Sequence, residues 1–86
     1  MEAFIQSLLT INNQSGLIHA YHTLFGGKRY KCDKIIVIND NQRLGIKVKG
    51  KELYIPKQGI KIYNHEGNVF SFASEDQMIT INVNKL

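Results

Sequence analysis

The sequence predicts an α+β domain, mainly β, in which an N-terminal helical segment packs on an antiparallel meander of about five to six strands. Two patterns predict this architecture: helical spacing of apolar residues in the first eleven positions, and apolar–polar alternation from residue 44 onward. Eighty-six residues leave room for one domain over 1–86, with a helical lid segment over 1–27 and the sheet over 34–84. A small, partly closed barrel is an alternative arrangement of the same meander.

The composition is that of a folded globular chain, with 43% apolar and 21% charged residues. A single cysteine excludes an internal disulfide framework and is typical of a reducing compartment. No apolar run approaches the roughly 20 residues that span a bilayer, and Glu2 stands where a signal peptide carries positive charge. We therefore expect a cytoplasmic protein without membrane contact. Homo-oligomerisation is an open expectation, since so short a chain buries little surface alone.

The N-terminal segment has a helical pattern, because Phe4, Ile5, Leu8 and Leu9 recur at i, i+1, i+4 and i+5. Residues 17–25 fit two structures. As a helix they place an apolar face on one side, which we favour; as a strand they would enter a hairpin with its turn at Gly26–Gly27. The apolar run Ile35–Ile38 predicts a strand that is buried on both faces.

The meander is predicted over residues 44–49, 52–56, 59–64, 68–73 and 78–84. A type II′ turn at Gly50–Lys51 pairs Lys47 with Tyr54, and a four-residue loop at 56–59 joins the next strand. A three-residue loop at 65–67 and a turn at 75–76 complete the sheet. One register then places eleven apolar positions together on the inner face. These positions are Ile46, Val48, Leu53, Ile55, Ile60, Ile62, Phe70, Phe72, Ile79, Ile81 and Val83.

Charge is distributed unevenly along the chain. Residues 28–61 hold ten of the eleven basic side chains against three acidic ones, a net charge of +7, whereas the whole chain has +4. A basic middle segment is typical of proteins that bind phosphates or acidic partners. A solvated lysine surface without a partner is the alternative, and composition does not distinguish the two.

The predicted outer face groups lysines with tyrosines. One cross-strand row contains Lys47, Tyr54 and Lys61, and the neighbouring row contains Lys49 and Tyr63. Aromatic rings stack on bases and lysines neutralise phosphates, so this combination suits single-stranded nucleic acid. The alternative is that both tyrosines are ordinary strand residues. The candidate nucleic-acid-binding residues are Arg43, Lys47, Lys49, Tyr54, Lys61 and Tyr63.

Other reactive side chains do not form a recognisable site in the sequence. His19 and His22 could join Cys32 or His65 around zinc, but a lone cysteine lacks the paired ligands of structural zinc sites. Cys32 is also without a nucleophile motif. We therefore expect no metal, no cofactor and no enzymatic activity.

Two functions are consistent with these patterns. The first is a small nucleic-acid-binding domain that uses the lysine–tyrosine face. The alternative is a protein-interaction module, or a small regulator or inhibitor, that docks on the acidic surface of a larger partner. Small size and exposed sheet edges favour this alternative.

Overall fold

A computed structural model describes residues 1–84 and contains, within that range, one α-helix and eight antiparallel strands in two sheets. The predicted class, mainly β with an N-terminal helix, is therefore confirmed, and the two sheets are not closed into a barrel. The elements are α1 (Glu2–Leu9), β1 (Gly16–His22), β2 (Gly26–Cys32), β3 (Ile36–Asn39), β4 (Arg43–Val48), β5 (Lys51–Pro56), β6 (Ile62–Glu66), β7 (Val69–Ala73) and β8 (Gln77–Val83).

The strands form two sheets rather than one meander. The five-stranded sheet has the order β2-β1-β8-β7-β6, and the three-stranded sheet has the order β3-β4-β5. The predicted pairing of residues 52–56 with 59–64 is wrong because the chain changes sheet between β5 and β6. Pro56 ends β5, a 3₁₀ turn at Lys57–Gly59 follows, and the Lys57 N–H donates to the Gln42 carbonyl at 2.8 Å.

The core lies between the two sheets and is completed by α1. Phe4 of the helix packs edge-on against Phe70 and Phe72, with both ring centroids 6.1 Å away. This confirms that the N-terminal segment covers the sheet. The buried apolar residues are Phe4, Ile5, Leu8, Ile11, Ile18, Cys32, Ile35, Leu44, Ile46, Val48, Ile55, Phe70, Phe72, Ala73, Ile79, Ile81 and Val83.

Residues 17–25 form a strand and a turn, so the favoured helix is wrong and the strand alternative is confirmed. Ile18 pairs with Ile81 of β8 and is fully buried. This pairing overrides the helix-compatible spacing of the segment. The turn occupies residues 23–25, ahead of the predicted Gly26–Gly27, and Gly26 follows it with a φ of 77°.

β3 is an edge strand, so the prediction of a strand buried on both faces is wrong. Ile36 is 42% exposed. Ile35 precedes the strand and is fully buried. The apolar run Ile35–Ile38 therefore contains one core residue, Ile35, followed by a strand that is paired along one edge only.

The β4–β5 turn is shifted by one residue from the predicted position. Lys49 and Gly50 are its central residues, with φ values of 49° and 81°, which is the pattern of a type I′ turn. Lys47 consequently pairs with Glu52, and Tyr54 pairs with Gly45. The strands slip by two residues, so the inner residues stay inside while the outer neighbours change.

The β6–β7 register differs from the prediction by an odd number of residues and exchanges the two faces of β6. Ile62 lies opposite Ala73 and is 68% exposed, so its assignment to the core is wrong. Tyr63 lies opposite Phe72. The β7–β8 register is confirmed, with Phe72 opposite Ile79.

Candidate functional site

The structure divides the predicted lysine–tyrosine face between two sheets. Arg43, Lys47 and Tyr54 lie on the outer face of the three-stranded sheet, opposite the buried residues of β4 and β5. Lys61 directly precedes β6, and Tyr63 lies within β6, in the five-stranded sheet. The predicted rows across five adjacent strands therefore do not form.

Charges on the outer face of the three-stranded sheet contact one another. Arg43 Nε lies 2.9 Å from Asp40 Oδ2, and Arg43 Nη1 lies 3.0 Å from Glu52 Oε1. The guanidinium carbon is 4.9 Å from the centroid of the Tyr54 ring. Lys47 is paired in register with Glu52. Acidic neighbours thus reduce the attraction of this face for phosphate.

The same contacts shift two pKa values. The pKa of Asp40 lies below its ordinary value of 3.8, first because the Gln42 N–H donates to Oδ1 at 2.9 Å and then because Arg43 donates to the carboxylate. The pKa of Arg43 is raised, first by its hydrogen bond to Asp40 and next by that to Glu52. Both groups are held in their charged forms.

The remaining predicted site residues are separated from this cluster. Tyr63 packs on Phe4, with ring centroids 5.3 Å apart, and so supports the helix. Lys61 Nζ lies 3.8 Å from Glu75 Oε1 in an exposed pair. Lys49 occupies the β4–β5 turn.

The tip of the β1–β2 hairpin exposes two large apolar side chains. Leu24 is 80% exposed and Phe25 is 81% exposed. The tip is nevertheless held in place, because the Thr23 N–H donates to the Asp76 carbonyl at 2.9 Å and the Leu24 N–H donates to His22 Nδ1 at 3.0 Å. The Phe25 ring lies 4.7 Å from the His22 ring. The apolar side chains therefore stand on an ordered support.

A cleft of about 490 Å³ opens beside this tip, between the β1–β2 hairpin and β5. Its volume falls within the range of about 300–1,000 Å³ found for ligand pockets. Aromatic and aliphatic side chains provide most of the wall, and Lys28 and Glu52 provide charge. The apolar lining residues include Ala20, Phe25, Tyr30, Leu53, Tyr54 and Ile79.

The outer edge of β2 carries unbalanced positive charge. Lys28, Arg29 and Lys31 are exposed, and among residues 1–84 none of them makes an ion pair. Lys51 Nζ lies 6.0 Å from the Tyr30 ring centroid and adds a further cation near this edge. Positive charge, the cleft and the apolar tip thus meet at one side of the molecule.

Sequence reasoning missed the hairpin tip because it assigned Leu24 and Phe25 to the apolar face of a helix. The strand alternative contained the signal that would have found them: in a hairpin turning near Gly26–Gly27, both residues fall at or beside the turn. Large apolar residues in a turn have no core to enter.

The histidines and the cysteine are dispersed. His19 and His22 lie on opposite faces of β1, His65 stacks on Phe70 with centroids 3.9 Å apart, and Cys32 is buried. Over residues 1–84, no group of three or more metal-ligating side chains comes together.

No known protein family matches the sequence, and no significant match is found among curated proteins or solved structures. In the part of the chain that the structure describes, no helix has the length and apolar character needed to cross a membrane. The function is therefore inferred from the surfaces themselves.

Proposed function

We propose that this chain is a non-enzymatic protein-binding module that contacts its partner through the tip of the β1–β2 hairpin and the adjoining cleft. The observation that carries this proposal is the exposure of Leu24 and Phe25, 80% and 81%, on an ordered turn. Exposed large apolar residues beside a cleft mark interaction sites, and aromatic anchors supply much of the binding energy at such interfaces.

The charge along β2, beyond the tip, favours an acidic partner surface. Lys28, Arg29 and Lys31 follow the tip along β2, and their positive charge attracts acidic groups during encounter. Glu52, the acidic residue that lines the cleft, already forms an ion pair with Arg43. An acidic protein surface with an apolar centre therefore fits this region.

Photo-cross-linking tests the proposal. Benzoylphenylalanine at Phe25 should give a discrete adduct in cells that produce the protein, sensitive to protease and resistant to nuclease. The same group at exposed Gln58 is the control position and should give no such adduct. Leu24→Ser should abolish the adduct at position 25. Equal cross-linking at both positions, or no adduct, contradicts a protein-binding role for the tip.

Nucleic-acid binding is a second proposal, and a different observation favours it. Tyr30 and Lys28 lie on the inner face of β2, with Lys51 Nζ 6.0 Å from the centroid of the Tyr30 ring, and Arg29 and Lys31 lie on the outer face of the same strand. A stackable ring among cations suits a single strand. Nucleic-acid binding by Arg43, Lys47, Lys49, Tyr54, Lys61 and Tyr63, which the structure divides between two sheets, stays a prediction that the next experiment compares with the β2 edge.

Fluorescence anisotropy with single-stranded oligonucleotides across a salt series tests the second proposal. Losing two phosphate contacts should lower the slope of log K against log salt by about 1.4. Arg29→Gln/Lys31→Gln should show this loss if the β2 edge binds, and Lys47→Gln/Lys61→Gln should show it if the predicted face binds. Absence of binding at low salt eliminates both.

A further inference from the structure

We propose that the free edge of β2 binds an extended acidic segment of the partner as an added strand of the five-stranded sheet. This inference rests on the proposed protein-binding function and specifies the partner's conformation and chemistry. Edge addition supplies affinity through backbone hydrogen bonds and specificity through alternate side chains.

The hydrogen bonds at the ends of β1 show which backbone groups of β2 are free. The Thr23 N–H donates to the Asp76 carbonyl at 2.9 Å, and the Asn84 N–H donates to the Ser15 carbonyl at 2.7 Å. Odd-numbered residues of β1 therefore bond to β8, and even-numbered residues bond to β2, because antiparallel ladders alternate.

This alternation fixes the donors and acceptors at the outer edge. Ala20 and Ile18 of β1 bond to their register partners Lys28 and Tyr30. Gly27, Arg29 and Lys31 then direct their N–H and C=O groups away from β1. Since β2 is the last strand of its sheet among residues 1–84, these groups are available to an incoming strand.

The two faces of β2 require different side chains from that strand. Lys28 and Tyr30 lie on the inner face and line the cleft, so inward residues of the added strand would meet its apolar wall. Arg29 and Lys31 lie on the outer face, because side chains alternate along a strand. A segment that alternates apolar and acidic residues matches both faces.

Charge also selects this occupant over a second copy of the chain. Pairing of β2 with β2 would bring Arg29 and Lys31 of two molecules together, and like charges on adjacent strands destabilise a sheet. A nucleic acid could neutralise the same cations, but it cannot reproduce the alternating N–H and C=O ladder. The free ladder together with positive charge therefore favours an acidic peptide.

A displayed library of random peptides of about twelve residues, selected on the intact protein, provides the probe. We expect enrichment of sequences in which acidic residues recur every second position with apolar residues between them. Enrichment of basic sequences, or of sequences with helical apolar spacing, contradicts the inference. Selected peptides whose binding is lost in Phe25→Ser but which lack the alternation uphold the proposed function and overturn edge addition.

Backbone chemistry separates edge addition from simple charge attraction. Arg29→Gln removes the charge and should weaken a selected peptide severalfold, whereas Arg29→Pro also removes the edge N–H and should weaken it about a further tenfold. Proline is compatible with an edge strand whose N–H faces solvent. Equal binding by the two variants contradicts the inference.

N-methylation of the selected peptide gives the same answer without altering the protein. Methyl groups on the amides that face β2 should abolish binding, and those on the intervening amides should leave it unchanged. Uniform sensitivity along the peptide, or none, overturns edge addition. If an oligonucleotide displaces the peptide and its binding shows the salt slope described above, the β2 edge binds nucleic acid and the peptide-binding inference is overturned.

Discussion

The outer face of the three-stranded sheet and the free edge of β2 both carry cations and tyrosines, but they differ in what those groups contact. On the sheet face, Arg43 bonds to Asp40 and Glu52 and lies over Tyr54. On the β2 edge, Arg29 and Lys31 make no ion pair within residues 1–84. Arg43 thus completes its ionic interactions within the molecule, whereas those of Arg29 and Lys31 stay open among residues 1–84.

Composition alone therefore does not locate a surface that can attract a charged partner. A cation that already bonds to carboxylates gains little from a phosphate or an acidic partner, because it must first give up those bonds. A cation without a partner on an exposed strand keeps its full field for an incoming group. The open cations of β2 therefore support the proposal that the partner binds at β2 and the hairpin tip.

The largest expected effect tests which residues of the five-stranded sheet face the core. Ile81 and Ile18 lie in one cross-strand row of the five-stranded sheet and are both fully buried. Ile81→Asp should cost more than about 4 kcal/mol and unfold the protein, since it buries an unpaired charge. Ile62→Asp, at an exposed site, should stay within about 1 kcal/mol. Urea unfolding measures both, and equal damage would refute the exposure of Ile62 and with it the β6–β7 register.

Two glycine-to-alanine substitutions compare how much space each region leaves for a Cβ atom. A Cβ at Gly45 would collide with the Leu53 carbonyl and approach Tyr54 Cα to 2.5 Å, so Gly45→Ala should cost about 3 kcal/mol. A Cβ at Gly26 meets no atom among residues 1–84 within 4 Å. The cost of Gly26→Ala should come from its φ of 77°, which is unfavourable for a residue with a Cβ, and should be about 1–2 kcal/mol. Thermal unfolding that ranks Gly26→Ala as the more damaging change would contradict this comparison.

Removing one cation from each region should have unequal effects on stability. Arg43→Gln leaves Asp40 and Glu52 without their shared partner and should lower the urea midpoint, with a smaller difference at high salt. Arg29→Gln breaks no ion pair among residues 1–84 and should leave the midpoint unchanged. A larger loss in Arg29→Gln would show that the β2 edge has an internal role.

The smallest effect is the pH dependence of the Asp40 cluster. Because folding lowers the pKa of Asp40 below 3.8, its contribution to stability is present above that value and is lost as the pH falls through the lowered pKa. Titration followed by the carboxyl carbon NMR signal should give a midpoint below 3.8. Arg43→Gln should raise this midpoint only in part, since the Gln42 N–H is the larger cause. A midpoint at or above 3.8 would contradict the arrangement.

The sequence predicted the fold class, the helix and the β7–β8 hairpin because local alternation and turn residues determine them. It could not predict the transfer from one sheet to the other at Pro56, since the apolar alternation of β5 and β6 is compatible with direct pairing. The β6 register depends on the choice of a two-residue turn at Gly67–Asn68 over a three-residue loop. This change of turn shifts the register of β6 by an odd number of residues, which places Ile62 outside and Tyr63 on Phe4.

The candidate site was harder to predict than the fold. The prediction grouped Lys47, Lys61 and Tyr63 through a sheet order that does not occur. The concentration of basic residues in the middle of the chain can be read directly from the sequence. The free edge of β2 depends on which strand ends the sheet, and that is set by long-range pairing of β1 with β8. Such pairing leaves no local signal in the sequence.

Amide hydrogen exchange, measured residue by residue with and without a selected peptide, distinguishes the β2 edge from the three-stranded sheet as the surface that binds the peptide. In the free protein, Lys28 and Tyr30 should exchange slowly because they bond to β1, whereas Arg29 and Lys31 should exchange fast. With peptide bound, we expect Arg29 and Lys31 to become protected while the amides of β4 and β5 stay unchanged. Protection gained along β4 and β5, with Arg29 and Lys31 still exchanging fast, would contradict the assignment of the binding surface to β2.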